Sequence, residues 1–295
     1  VTSRKSKALY YALIQELAST YPISLLCFVS GVSRSGYYKW MIRQGRQTER
    51  QQENERVKEL ILQCQTRVKR VYGYYRVQAW LQHTQGLRVN HKRVYRLMKE
   101  LNIQAVIRKK KRYFGKQQEQ KVVSSNVMNR EFTASRPNEK WTTDITYLMF
   151  NGKRLYLSVM YDLFNNEVIT YQIGKQNNLK LVLDTVKEAI KKRKVDGTIL
   201  HSDQGFQYTS RQYHELLKAH HLTPSMSRKG NCLDNACMEN FFSHFKTEMM
   251  YLHDFQEEQE VIDATHQYIM FYNQERIQIK LQNLSPVQYR TQVCA

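Results

Sequence analysis

Apolar positions along this chain change their spacing near residue 137, from the three-and-four rhythm of helices to the alternation of strands. In "YPISLLCFVSGVSRSGYYKWM" one short segment carries Leu25, Leu26 and Phe28 and a second carries Tyr37 and Trp40, with Gly31 turning and Ser33 capping between them. Small Cys27 lets the two helices cross closely, so the pattern reads as a helix-turn-helix whose second helix offers Arg34, Ser35 and Lys39 to a groove. A helix is expected over about 50–66, and "YGYYRVQAWLQHTQGLRVNHKRVYRLMKELNI" then repeats the arrangement. Val77, Trp80 and Leu81 line one helix, Asn90 caps the next, and Val94, Leu97, Met98 and Leu101 form the apolar stripe of the latter. The opposite face holds Lys92, Arg93, Arg96 and Lys99. Periodicity then disappears over 108–136, a basic, Gln/Ser-rich linker.

Beyond Pro137 the runs 141–150, 153–164 and 167–174 read as strands joined by Asn-Gly and Asn-Asn turns. A helix follows at about 178–193, a short strand ending at Ser202, a helix at about 210–220, a strand near Thr223 and two long helices from about 234 onward. Three antiparallel strands followed by alternating helix and strand make an α/β domain with a mixed five-stranded sheet, preceded by an all-α region.

Charge divides at the same place. Residues 1–130 carry 27 Lys and Arg against 7 Glu, a net +20, whereas residues 131–295 carry 19 basic and 19 acidic side chains. An excess of that size on one half points to a polyanion, and two helix-turn-helix units in tandem favour DNA over RNA or a membrane surface. No apolar run reaches the ~18 residues of a membrane span, and the N-terminus lacks a signal-peptide core, so the cytoplasm is the expected compartment. Five scattered cysteines without a C-x-x-C pair support neither a disulfide framework nor a zinc knuckle.

Three carboxylates in the second half stand out by position. Asp144 shares one face of "WTTDITYLMF" with Thr142, Thr146 and Leu148, mid-strand, where ionisation needs a partner. Asp203 ends the strand 198–202. Glu239 flanks the stripe Met238, Phe241, Phe242, Phe245 and Met249, in line with Asn235 and Lys246, and is expected at the rim of the core rather than in bulk water. If their strands are neighbours, the two aspartates reach one sheet edge, and three converging acids call for a cation; oxygen donors suit magnesium or manganese. Each acid alone has the plain reading of a surface carboxylate, and the 19 acids of this half furnish accidental triples.

The stretches "WTTDITYL", "HSDQGFQYTS", "SMSRKGNCLDNACMENFFSHFKTE" and "YIMFYNQERIQIKLQNLSPVQY" make the resemblance specific. The chain resembles the DDE transposases of bacterial insertion sequences, the OrfB product of two-frame elements, whose core is similar to retroviral integrase. Thirty-five residues separate Asp203 from Glu239 and Lys246 follows Glu239 by seven, as in the family's D,D(35)E pattern with its trailing basic residue. The resemblance implies an RNase H-like core in which Asp144, Asp203 and Glu239 are catalytic and hold two divalent ions, Mg2+ or Mn2+. Such a pair, about 3.5–4 Å apart, serves an in-line displacement at phosphorus. Water would attack for nicking and a DNA 3′-hydroxyl for joining, with no protein nucleophile. Lys246, Arg34, Lys39, Lys92, Arg93 and Arg96 are the expected DNA contacts.

The implied organisation is a helix-turn-helix region over 1–48, a second over 49–107, the linker 108–136, an integrase-like core over 137–252 and a helical extension over 253–295. Partners expected from the family are element-end and target DNA, further copies of the chain, and the upstream-frame OrfA product; a chain beginning at Val1 is compatible with fusion to the last. Three other residues have plainer readings. His201 is a packed or solvent-facing histidine, Asp162 a strand-end turn residue, and Asn235 either a helix cap or a group that orients Glu239 or touches DNA. A DNA-binding regulator with a dead integrase-like core, and a carboxylate-pair hydrolase acting on sugars, are the rival functions; the basic half has no use in the second.

Overall fold

The computed structural model describes residues 4–44, 48–106, 123–228 and 231–293; the basic run 108–122 of the expected linker lies outside them. Two compact units are present, Val1–Gln63 and Cys64–Ala295.

In the first unit, helices α1 (Arg4–Leu17), α2 (Ile23–Val29) and α3 (Arg34–Arg43) precede the start of α4 (Glu49–Arg67). Gly31, at φ +65°, makes the turn between α2 and α3, a conformation open to glycine because it has no Cβ. Ser33 caps α3, its hydroxyl accepting the Gly36 N–H at 3.1 Å. Ile14, Cys27 and Tyr37 form a small core, with Ile23, Leu26 and Trp40 packed on it. Leu25 and Phe28 do not face that core, and Phe28 is 84% exposed. A seven-residue helix buries only one stripe, and the i, i+3, i+4 set Ile23, Leu26 and Cys27 takes it. Arg34, Ser35 and Lys39 are exposed on α3, as expected.

The second unit begins with the end of α4 and the helix pair α5 (Tyr74–Gln85) and α6 (His91–Glu100). Asn90 caps α6 by accepting the Lys92 N–H at 2.9 Å. Val77 and Leu81 are buried, as are Val94, Leu97 and Met98, while Trp80 and Leu101 are half-buried. Lys92, Arg96 and Lys99 are exposed, and Arg93 is half-buried. This pair belongs with the sheet rather than with the first unit. The Tyr72 hydroxyl donates to the Glu275 carbonyl at 3.2 Å and accepts the Ile277 N–H at 2.9 Å, tying the approach to α5 to the C-terminal part of the chain.

The sheet is mixed, with order β3-β2-β1-β4-β5. β1 (Lys140–Phe150), β2 (Lys153–Asp162) and β3 (Glu167–Gly174) are antiparallel neighbours, and β4 (Ile199–Ser202) and β5 (Thr223–Met226) continue the sheet in parallel with β1. The first hairpin turns at Asn151 and Gly152, with φ of +39° and +69°, the left-handed pair that two-residue loops demand. Helices α7 (Leu179–Lys192) and α8 (Arg211–Ala219) cover one face, where Trp141, Met160 and Leu200 meet Val182, Val186, Tyr213 and Leu217. On the other face Leu148, Leu157 and Val159 pack against the Met238, Phe241 and Phe245 stripe of α9 (Ala236–Glu248) and against Val261, Ile269 and Tyr272 of α10 (Glu258–Gln274). The short α11 (Pro286–Val293) ends the described chain. Because α10 shares the sheet's own core, the C-terminal extension is structurally part of it. Among the described residues no helix is long and apolar enough to cross a membrane.

Candidate active site

The register between β1 and β4 explains why two distant aspartates meet. Thr142 lies opposite His201, and the same parallel step carried two residues further sets Asp144 beside Asp203, just beyond the end of β4. Asp144 is half-buried and Asp203 exposed. Each carboxylate is held by a local backbone bond: Asp144 Oδ1 accepts the Ile145 N–H at 2.7 Å, and Asp203 Oδ1 accepts the Gly205 N–H at 2.8 Å. A Cβ at position 205 would lie 2.9 Å from Asp203 Oδ1 and 3.1 Å from Gln207 Oε1, so a larger residue there would displace the Asp203 carboxylate.

Burial is the main influence that pushes the Asp144 carboxyl up, to about 8; the neighbouring Asp203 adds to it, Glu239 adds less, and Lys246 opposes it. The three acids and the lysine therefore share one electrostatic field. Glu239 stands in the first turn of α9 and is exposed, not sheltered at the core rim as its helical spacing had led us to expect, because the buried stripe turns Met238 inward and its neighbour out. Lys246, two turns on, is half-buried with its ammonium 4.3 Å from the centre of the Tyr147 ring, and Arg154 flanks the same ring at 5.6 Å.

An all-oxygen set of carboxylates, one of them pushed up by burial and by a neighbouring acid, has the chemistry that a hard divalent cation satisfies. Among the described residues, however, no three of His, Cys, Asp and Glu are close enough together to hold an ion as they stand.

The other singled-out residues resolve simply. His201 is fully buried between β-strands, Nδ1 2.9 Å from Ser225 Oγ and Nε2 3.0 Å from Ser227 Oγ, and burial pulls it down to about 4, so it is neutral. Asp162 accepts the Asn138 and Phe164 N–H groups at 2.9 and 3.0 Å, a strand-end role opposite Trp141. Asn235 makes no side-chain cap to α9; its Oδ1 accepts the Thr142 hydroxyl at 2.7 Å, joining the Glu239 helix to the Asp144 strand. Of the DNA contacts expected from sequence, Lys246 lies at this site. Arg34 and Lys39 are in the first unit, and Lys92, Arg93 and Arg96 are on α6.

Tyr147 and Asp234 were not singled out by sequence reasoning. Alternation would have put Tyr147 on the outer face of β1, but nothing in the spacing marks it as the seat of Lys246. Asp234 is fully buried and salt-bridged to Arg228 and Arg130.

Family models match three segments: an HTH-like domain over residues 52–111 and integrase core domains over 134–232 and 239–294. The putative transposase InsK for insertion sequence element IS150 of Escherichia coli K12 is 41% identical over 95% of this chain and 97% of its own length. Transposase InsF for insertion sequence IS3A of the same organism is 36% identical over 82% of this chain and 84% of its own length. Among solved structures, the HTLV-2 integrase catalytic core domain in complex with magnesium aligns with a TM-score of 0.41 at 16% identity, over 53% of this chain and 98% of that one. Identity above one third along most of both chains, joined to an HTH-like domain followed by an integrase core, places the chain among the IS3-family insertion-sequence transposases as an OrfB product, a DNA phosphoryl-transfer enzyme.

Proposed function

We propose that this transposase cuts and joins DNA at the ends of its insertion sequence by divalent-metal-dependent phosphoryl transfer, with Asp144, Asp203 and Glu239 as the catalytic carboxylates. The observation that carries the reading is the meeting of Asp144 and Asp203 where β1 and β4 run side by side, with Glu239 and Lys246 close enough to act on the same carboxyl; burial first and the Asp203 charge next push Asp144 up to about 8. The same three residues would hold two magnesium or manganese ions. What such ions supply when bound is activation of an attacking oxygen and neutralisation of the leaving one. The protein's own part is placement. Parallel register sets Asp144 against Asp203, and the Thr142–Asn235 bond holds the helix of Glu239 to the same strand. Lys246, steadied on Tyr147, stands where it would meet a DNA phosphate. Water serves as nucleophile for nicking and a 3′-hydroxyl for joining.

Element ends are bound, in this reading, through Arg34 and Lys39 of the segment 1–48 and through Lys92, Arg93 and Arg96 of 49–107, with 108–136 as linker, 137–252 as catalytic core and 253–295 as its extension. The active species is an oligomer on DNA, acting with the upstream-frame OrfA product in the bacterial cytoplasm and nucleoid. Severing the chain near residue 130 would part Tyr72 from Glu275 and Ile277, so the basic half is best probed in the full chain. Replacing Lys92 and Arg96 by Gln should make the slope of log K against log salt less steep by about 0.9 per lost phosphate contact. Gel shifts on element-end duplex at several salt concentrations check this; an unchanged slope in the double variant would remove α6 from the interface.

A further inference from the structure

We propose that Asp234 is the positioning residue for Glu239: it latches the start of α9 to the segment that enters the catalytic core, and so sets the third carboxylate against the pair on the sheet. The inference rests on the reading of Glu239 as catalytic. Asp234 touches no part of the presumed reaction and lies five residues before Glu239.

Its carboxylate is 0% exposed, yet five donors surround it. Arg228 approaches with its guanidinium, Nε to Oδ2 and Nη2 to Oδ1, both at 2.9 Å, and adds its backbone N–H at 3.0 Å. Arg130 Nε donates to Oδ1 at 2.8 Å, and Asn126 Nδ2 to Oδ2 at 3.0 Å. The Arg228 hydrogen bonds outweigh burial and hold this acid far below the usual carboxylate range, with Arg130 adding to them. Asn126 and Arg130 belong to the stretch that enters the core, Arg228 follows β5, and Asp234 itself precedes α9. Three separate pieces of chain are thus fastened at one point.

The adjacent residue completes the latch. Asn235 bonds the buried Thr142 hydroxyl, two residues before Asp144 on β1. Together Asp234 and Asn235 fix the first turn of α9 in direction and in distance from the sheet. Global stability rests elsewhere, on the apolar stripe of α9 and the sheet core. The Arg228 and Arg130 side chains are 52% and 43% exposed, so both cations can return to water when the carboxylate is neutralised. Loss of the latch should therefore loosen the helix start and leave the core folded.

The test uses the full chain with Asp234→Asn and, independently, Arg228→Gln, which leaves Asp234 its Arg130 and Asn126 donors, with circular dichroism reading the folded fraction of both. Two readings are taken. Amide hydrogen exchange over residues 239–242 should quicken in both variants while exchange in β1 stays unchanged. Strand transfer titrated with magnesium should lose about 10–100-fold in rate or in apparent metal affinity, the range typical of removing a group that supports a metal ligand, with end-DNA binding unchanged. Unaltered exchange at 239–242 in the two variants would overturn the latch. So would a fall in activity that merely follows the folded fraction, at an unchanged magnesium requirement. Because exchange is read without DNA or metal, it judges the latch even if the wild-type chain proves inactive, an outcome that would count against the catalytic reading instead.

Discussion

Asp203→Asn should abolish both nicking and joining while leaving the melting temperature and element-end binding close to wild type. The amide keeps the shape of the side chain and its acceptor for the Gly205 N–H, so the turn after β4 survives. What it removes is the negative charge, and with it the ability to hold a cation against Asp144. Loss of a ligand itself should exceed the roughly 10–100-fold typical when only a supporting partner of a ligand is lost. A product assay on labelled element-end duplex, with circular dichroism as the control for folding, reads the result. In the same variant the Asp144 carboxyl should titrate lower, since Asp203 is the larger of the two neighbouring charges that raise it.

A large effect on stability is expected at the opposite end of α9. Glu248 and Arg276 form a buried bidentate pair, Nε to Oε2 at 2.7 Å and Nη2 to Oε1 at 2.5 Å, with the Tyr268 hydroxyl donating to Oε2 at 2.9 Å. Burial alone would push Glu248 up, but the Arg276 hydrogen bonds and charge outweigh it and the carboxyl is held below its ordinary value. Arg76 of α5 stands 4.0 Å from the same carboxylate, so the junction joins the second helix pair, α9 and the chain after α10. Glu248→Gln leaves Arg276 buried with no counter-charge and should cost about 3–5 kcal/mol, whereas Glu248→Leu with Arg276→Met should cost much less. A carboxyl whose folded value is depressed contributes stability above its unfolded value, near 4.3, and loses it as pH falls through the folded value. Wild type should therefore weaken between neutral pH and acid more than Glu248→Gln does. Urea denaturation at pH 7 and at acid pH well below the unfolded value measures both quantities; equal stability of wild type and the single variant at pH 7 would show that the pair carries nothing.

Local signals along the chain were enough for the scaffold and for the placing of Asp144 and Asp203 at one edge of the sheet. Alternation in "WTTDITYLMF" and the Asn-Gly turn after it specify β1 and its hairpin, and an aspartate directly after a short apolar strand lies where a parallel neighbour would bring it to Asp144. Helix spacing correctly separated the buried stripe of α9 from its flank but not how far that flank opens to solvent, which is why Glu239 proved exposed. Phe28 shows the same limit in the first unit: hydrophobicity alone does not say which side of a two-turn helix finds a partner. The Asp234 latch was invisible for another reason. Its donors come from Asn126, Arg130 and Arg228, ordinary polar residues up to 108 positions away, and only the folded chain brings them together. The Arg276–Glu248 pair was hidden likewise, since a charged residue in sequence carries no mark of burial.

The most direct test of the account is strand transfer by the purified chain, fused to the upstream segment where assembly requires it, after removal of divalent ions with a chelator. On element-end DNA and a target duplex the account predicts no nicked or joined product without metal, restoration of both by magnesium or manganese, and no restoration when Asp144, Asp203 or Glu239 is replaced by its amide. Joined product in the absence of divalent ions, or magnesium-dependent joining by any one of those three variants at the wild-type rate, would contradict it.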